Sequence, residues 1–217
     1  MESLKNITLQ QRNDLVYQRM GKRIVDIVGS VSLIIFFVPI ILTFSIILLI
    51  FSGRPILFKQ MRSGMNNTPF TIWKFRTMQM ESEESSSHQY EWQNEVPDDF
   101  SFAKPEHLKV TALGKIYRKY SIDEIPQLWN VLKGDMSFVG PRPELVEITN
   151  HYSKEQKKRL TVKPGITGYA QVHGRSNNTH GKKIAHDLYY VQNCSFLLDL
   201  KIVIRTIVIV ITGKGAY

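Results

Sequence analysis

Cysteine is all but missing from this sequence: Cys194 is the only one in 217 residues. No intrachain disulfide can form, which is consistent with a reducing compartment. The six histidines show no metal-ligand spacing with that cysteine, so nothing points to a zinc site. Acidic residues are also scarce, nineteen against twenty-eight basic, and they are bunched. Residues 81–106 hold eight of them beside a single basic residue, Lys104, which leaves 27 basic and 11 acidic side chains elsewhere. Such a surface suits anionic partners: lipid headgroups, nucleoside diphosphates or nucleic acid. No internal repeat is visible, so repeat architectures are excluded.

What the sequence does have is one long apolar run, Ile27 to Phe51, 25 residues without a charge. As a helix it would be about 37 Å long, enough to cross a hydrocarbon core of about 30 Å. It is too long and starts too late for a secretory signal. Residues 1–26 carry five basic side chains, and residues 52–78 carry five with no acidic residue. The positive-inside rule therefore places both ends in the cytoplasm. Pro39, at the middle of the run, cannot bond the carbonyl of Ile35, so the helix can bend there. Two forms meet these facts. One is a re-entrant helix broken at Pro39 that returns to the same face; the other is a kinked spanning helix. Residues 1–20 are polar and are expected to begin an amphipathic helix along the membrane.

The rest predicts an α+β, helix-dominated domain with a small β-element. Phe58 to Gly64 and Phe70 to Met78 read as two short strands around a Gly/Asn/Pro turn. Their interleaved basic and aromatic residues resemble a nucleic-acid surface, but the neighbouring membrane segment favours a lipid- or nucleotide-facing strip. Residues 81–106, rich in Ser, Glu and Asp, read as a mobile or locally helical surface insertion without chemistry. Leu113, Ile116, Tyr117 and Tyr120 form the apolar face of a helix. Residues 144–160 read as helical with a restart at Ser153, and Ile184, Leu188 and Val191 mark another helix. The tail from Leu197 is too short and too charged to span; it predicts an interfacial helix or a strand-like core segment. The expected division is 1–53 for the amphipathic and membrane segment and 54–217 for a cytoplasmic domain.

The chemistry concentrates between Tyr120 and Glu144. Asp123 and Glu124 stand just before Pro126 and a short apolar repeat ending in Gly134. Pro126 suits a first helical position and Gly134 a stop, so the helix dipole favours both carboxylates in ionised form. Ser121 and Glu124 have capping-box spacing, and on these residues alone capping is the readier reading. Arg142 lies between Pro141 and Pro143. So rigid a mount suits a phosphate or carboxylate clamp, or else is a plain turn. Together these residues suggest an acid–metal–phosphate site. Neighbouring carboxylates cannot flank a sugar as a glycosidase pair must, whereas one nucleophile beside one metal ligand fits.

The run Asp123-Glu124-x-Pro126-Gln127-Leu128-x-Asn130-Val131-Leu132-Lys133-Gly134-Asp135, with Gly140-Pro141-Arg142-Pro143-Glu144 beyond it, resembles the signature of the bacterial sugar transferases. These are the small monotopic polyprenyl-phosphate phosphoglycosyl transferases. Lys22-Arg23-x-x-Asp26, Gln60-x-Arg62-x-Gly64, Lys74 to Met78 and Asp199 to Ile202 also look like motifs of that family. The likeness thus covers the chain from Lys22 onward, without the extra spanning helices of larger members. Tyr169 and His173 depart from it, since the family usually shows tryptophan and asparagine there.

The resemblance implies the re-entrant form of the membrane helix, an interfacial C-terminal helix, and a bacterial inner-membrane protein with its catalytic domain in the cytoplasm. It implies transfer of a sugar-1-phosphate from a UDP-sugar to polyprenyl (undecaprenyl) phosphate with release of UMP, the first membrane step of glycan assembly, and no nucleic-acid partner. Asp123 would attack the sugar-bearing phosphate to give a covalent aspartyl-phosphosugar, and Mg²⁺ would be held by Glu124 together with Asp123. Arg142, Lys59, Arg62, Arg76, Arg118, Gln127 and Arg175 are the implied phosphate- and substrate-binding residues. Two rival readings stand beside it: a basic membrane-attached nucleotide-binding adaptor, and a membrane phosphohydrolase. No motif specifies the sugar or an oligomeric state.

Overall fold

The computed structural model describes residues 14, 16–78, 92, 95–101, 110–174 and 178–212. Most of the expected amphipathic segment 1–20, much of 81–106, and Arg175 lie outside the described residues.

The apolar run forms helix α1, Lys22–Ser52, preceded by a π-turn, Tyr17–Gly21. Pro39 lies inside α1, and helical structure continues through it. The Thr43 hydroxyl donates to the Pro39 carbonyl at 2.8 Å. Among the described residues this is the one helix long and apolar enough to cross a membrane, with mean hydropathy 3.1. Its side chains are largely exposed from Ile24 to Phe51.

Both ends of α1 are tied to the rest of the protein. At its start Lys22 bonds Asp199 and, at 3.0 Å, the Tyr190 hydroxyl. Arg23 donates to the carbonyls of Val131 and Leu132 at 2.7 and 2.8 Å. Asp26, buried, accepts from the Ser137 hydroxyl and the Phe138 amide, each at 3.0 Å. At its far end Leu48 packs in a buried cluster with Phe75 and Tyr117. The Tyr117 hydroxyl donates to the Phe44 carbonyl at 3.1 Å. Arg76 donates to the carbonyls of Ser52, Gly53 and Arg54, satisfying acceptors that a helix end leaves orphaned.

β1 (Leu57–Ser63) and β2 (Pro69–Phe75) form the expected antiparallel hairpin, with Leu57 opposite Phe75 and Ser63 opposite Pro69. Asn66 and Asn67 take the positive φ of the turn, 55° and 61°, which asparagine tolerates. Helix α2 (Ala112–Lys119) starts from Thr111, whose hydroxyl accepts from the Gly114 amide at 2.9 Å. A 3₁₀ turn, Ile122–Gln127, leads into α3, Leu128–Lys133, which Gly134 ends at φ 96°. Pro126 therefore does not open α3. It joins a turn already wound from Ile122, and the α-helix begins two residues later.

β3 (Ser137–Val139) pairs in parallel with β4 (Gly165–Thr167). Here Gly140 and Gly165 bring two backbones together; a Cβ on either would meet main-chain atoms at 2.3 and 2.1 Å. Between the strands lie α4 (Val146–Asn150), α5 (Lys154–Lys157) and a 3₁₀ turn (Lys158–Thr161). The restart expected at Ser153 is a full capping box with Gln156. Short α6 (Tyr169–Val172), α7 (His180–Asn193) and α8 (Phe196–Thr212) complete the chain. The tail is thus a helix and not a strand, and it exposes Leu197, Leu200, Ile204, Ile207, Val208 and Ile211.

Part of the acidic segment departs from the expected surface insertion. Val96 is buried in the largest core cluster with Leu145, Ile148, Tyr152, Leu160 and Ile184, and Trp92 and Phe100 pack against it. The carbonyls of Asp98 and Phe100 accept from the amides of Gly181 and His180, each at 2.9 Å. These are orphan donors at the start of α7, so residues 95–101 serve as its cap. Composition marked the segment as polar, but three apolar side chains among the acids suffice to dock it.

Candidate active site

The capping box suggested by Ser121 and Glu124 does not form. Ser121 has φ 55° and makes no side-chain cap bond, and the Glu124 side chain goes elsewhere. Glu124 Oε1 accepts from Lys74 Nζ and from Arg142 Nη2, both at 2.9 Å. Lys74 comes from β2 and Arg142 from the Pro-Arg-Pro segment, so two distant stretches converge on one carboxylate oxygen. Burial alone would raise the Glu124 pKa, but Arg142 and Lys74 outweigh it and hold the group far below the usual carboxylate range. Lys74 is pushed below its ordinary value by burial, against the pull of Glu124.

Asp123 is the opposite case. It is 9% exposed and makes no side-chain hydrogen bond among the described residues. Burial first, then the adjacent Glu124 charge, push its carboxyl up to about 6, against Lys74, Arg118 and Arg142. Neighbouring carboxylates driven apart in this way are suited to different chemistry. Glu124 is pinned in place, while the lone pairs of Asp123 are free to bond.

The mount of Arg142 is stiffer than its two prolines alone would make it. Four successive carbonyls are gripped: Pro141 by the Gly165 amide at 2.9 Å, Arg142 by Arg159 Nη2 at 2.9 Å, Pro143 by Arg62 Nη1 at 3.4 Å and Glu144 by the Ser63 amide at 2.9 Å.

The remaining candidates divide. Arg118 donates to the Thr77 hydroxyl at 3.0 Å, and its charge bears on Asp123. Gln127 is 2% exposed and its Nε2 has no partner, a buried donor without an acceptor. Lys59 lies over the Trp73 ring at 4.5 Å. Being opposite Trp73, it sits on the other face of the hairpin from Lys74. Arg62 bonds Gln60 Oε1 at 2.6 Å and lies 3.7 Å from Glu144, besides its contact to Pro143. Arg76 is engaged at the end of α1. Asp123, Glu124, Arg118 and Arg142 are thus brought together. Lys74 belongs with them, although the sequence marks it only as the first residue of the Lys74 to Met78 motif. It shares a strand face with Phe70 and Ile72, and a lysine on an apolar face needs a carboxylate.

Among the described residues no group of three or more His, Cys, Asp or Glu could enclose a metal ion. Two adjacent carboxylates suit Mg²⁺ in its usual manner, in which substrate phosphates and water supply the other ligands. Tyr169 and His173, the two departures from the family pattern, touch each other: their rings stack at 4.0 Å, beside Tyr189 at 4.7 Å from Tyr169.

The family described as bacterial sugar transferase matches residues 17–213. An uncharacterized sugar transferase of Bacillus subtilis, EpsL, is 41% identical over 194 residues, 89% of each chain. The UDP-N-acetylgalactosamine-undecaprenyl-phosphate N-acetylgalactosaminephosphotransferase of Aeromonas hydrophila is 40% identical over 201 residues, which cover 90% of this chain and 44% of that one. The UDP-glucose:undecaprenyl-phosphate glucose-1-phosphate transferase of Caulobacter vibrioides is 38% identical over 206 residues, 91% of this chain and 72% of its own. The match begins before α1, runs through the end of α8 and encloses the Asp123–Glu124 site, so the chain belongs to the bacterial sugar transferase family.

Proposed function

We propose that this protein transfers a sugar-1-phosphate from a UDP-sugar to polyprenyl phosphate and releases UMP. The observation that carries the reading is the contrast between Asp123, unbonded with its carboxyl up at about 6, and Glu124, held between Lys74 and Arg142. An anionic diphosphate reaches a carboxylate only where cations offset the repulsion, and Lys74, Arg118 and Arg142 supply them. An Asp123 oxygen bonds the sugar-linked phosphorus as the bond to the UMP oxygen breaks, and UMP leaves. An oxygen of the lipid phosphate then displaces the Asp123 carboxylate, giving the lipid-diphosphate sugar. Mg²⁺ held by Glu124 and Asp123 would supply further charge neutralisation at the phosphates.

We infer, with the same reading, that α1 is re-entrant. A helix that crosses the bilayer carries its far end about 30 Å from the near one. Here both ends of α1 bond one body, through Arg23 and Asp26 at the start and through Tyr117 and Arg76 at the end. With both flanks basic, that body faces the cytoplasm, residues 54–217 form the catalytic domain, and the exposed apolar face of α8 lies in the interface of the inner membrane.

A UMP-release assay with a panel of UDP-sugars tests the function. Release that requires polyprenyl phosphate is expected for at least one sugar. Release without the acceptor would favour a phosphohydrolase, and no release with any sugar would favour a binding adaptor.

A further inference from the structure

We propose that the buried pair Arg159–Asp187 is a positioning device for Arg142, and so for the cationic side of the site. This rests on the phosphate-transfer reading of the Asp123 site. The pair is enclosed: Arg159 is 4% and Asp187 1% exposed. Arg159 bonds Asp187 Oδ2 through Nε at 2.8 Å and Nη2 at 2.7 Å, and donates from Nη1 to the Tyr152 hydroxyl at 2.7 Å. Its Nη2 also donates to one main-chain target, the Arg142 carbonyl at 2.9 Å.

Stability alone is a poor account of that arrangement. A buried ion pair contributes little net, and well-packed apolar residues often replace it without loss. What apolar residues cannot do is hold a carbonyl. Pro141 and Pro143 have no amide hydrogens, so the segment is anchored from its acceptor side, and Arg159 holds the residue whose side chain reaches Glu124. Asp187 is set in turn by α7, whose first free amides are capped by residues 95–101. The acidic segment, α7, Asp187, Arg159 and Arg142 thus form one continuous chain of contacts ending at the catalytic carboxylates. Sequence reading missed Arg159 and Asp187, which lie 28 positions apart in charged stretches that look solvated.

The test is a double-mutant cycle on the full chain in lipid nanodiscs, using Arg159→Met/Asp187→Leu with and without Arg142→Lys. Two quantities are read: the affinity for UDP by calorimetry, and the rate of UMP release. In the native background the apolar pair should weaken both by about tenfold, the equivalent of 1.4 kcal/mol, while the melting temperature stays close to wild type. In the Arg142→Lys background the same change should have almost no further effect, because positioning acts only through the fork that lysine lacks. Equal losses in both backgrounds, or no loss in either, would overturn the proposal. If the apolar pair does not fold, Arg159→Lys takes its place in the cycle with the same expectation. A wild type that binds UDP but releases no UMP sinks the transfer reading and leaves the UDP cycle to decide this one.

Discussion

Arg142 reaches Glu124 across 2.9 Å, yet its side chain remains 52% exposed. Nη2 is committed to the carboxylate, and the guanidinium makes no other side-chain bond among the described residues. The clamp therefore does not have to leave Glu124 to meet a phosphate, because one fork can serve both.

Arg142→Lys keeps the charge and loses the fork. The expected cost is about 1.5–3 kcal/mol in kcat/KM for the UDP-sugar, the worth of a charge-assisted bond. Unchanged turnover with an intact fold would reduce the Pro-Arg-Pro segment to a turn.

Asp123 and Glu124 separate in a half-reaction. A UDP-sugar labelled in the sugar-linked phosphate is mixed with enzyme, without lipid acceptor, and quenched in acid. Wild type should retain label on a peptide containing Asp123. Glu124→Gln should retain less and respond to raised Mg²⁺, since a carboxamide oxygen still coordinates weakly. Asp123→Asn should retain none, because an amide offers no anionic oxygen; label on any other residue would end the mechanism.

The pH dependence follows from Asp123, whose folded-state pKa is raised to about 6 from 3.8. Only the carboxylate attacks, so the labelling rate should rise with pH, half-maximal near 6. Stability runs the other way. A raised pKa contributes stability that is fully present below the unfolded value and lost as pH rises through the folded one. Asp123→Asn should therefore melt higher than wild type at pH 8, by up to about 3 kcal/mol, with the gap closing below about pH 4. A capping aspartate would instead lose about 1 kcal/mol on the same substitution.

Arg76 gives a contrasting outcome. Its guanidinium serves the carbonyls of Ser52, Gly53 and Arg54. Arg76→Ala should lower the unfolding free energy by about 1.5–3 kcal/mol while leaving KM for the UDP-sugar within twofold. A large rise in KM with an unchanged melting temperature would return it to the phosphates.

Topology is read by thiol labelling. With Cys194→Ser as background, single cysteines replace Leu4 or Thr68, and an impermeant reagent is added to intact spheroplasts. Neither position should label from outside; labelling at position 4 alone would make α1 a span.

Features encoded within a few residues were legible in the sequence. The hairpin, the restart at Ser153, the Gly134 stop and the apolar α1 each depend on neighbours in the chain. Contacts between distant residues were not. A basic residue near a phosphate motif looks the same whether it meets a substrate or a carbonyl. Hence the resemblance implies substrate contacts for Arg62 and Arg76, whereas their described bonds run to protein groups. Lys74 finds Glu124 50 positions away and Lys22 finds Asp199 177 positions away, distances that no local pattern spans. Ser121 is a related case: its spacing to Glu124 satisfies a local rule, but two remote cations, Lys74 and Arg142, take the carboxylate.

The bonds at both ends of α1 bear on how this enzyme can be handled. Deleting residues 1–53 to obtain a soluble fragment would strip Arg23 from the end of α3, Asp26 from the start of β3, and Leu48 from the cluster around Phe75 and Tyr117. The wound left behind adjoins the elements that carry Lys74, Asp123 and Glu124. Helix α1 is thus a wall of the body that carries Asp123 and Glu124 rather than a tether, and replacing it with a foreign anchor would mean rebuilding the packing it supports.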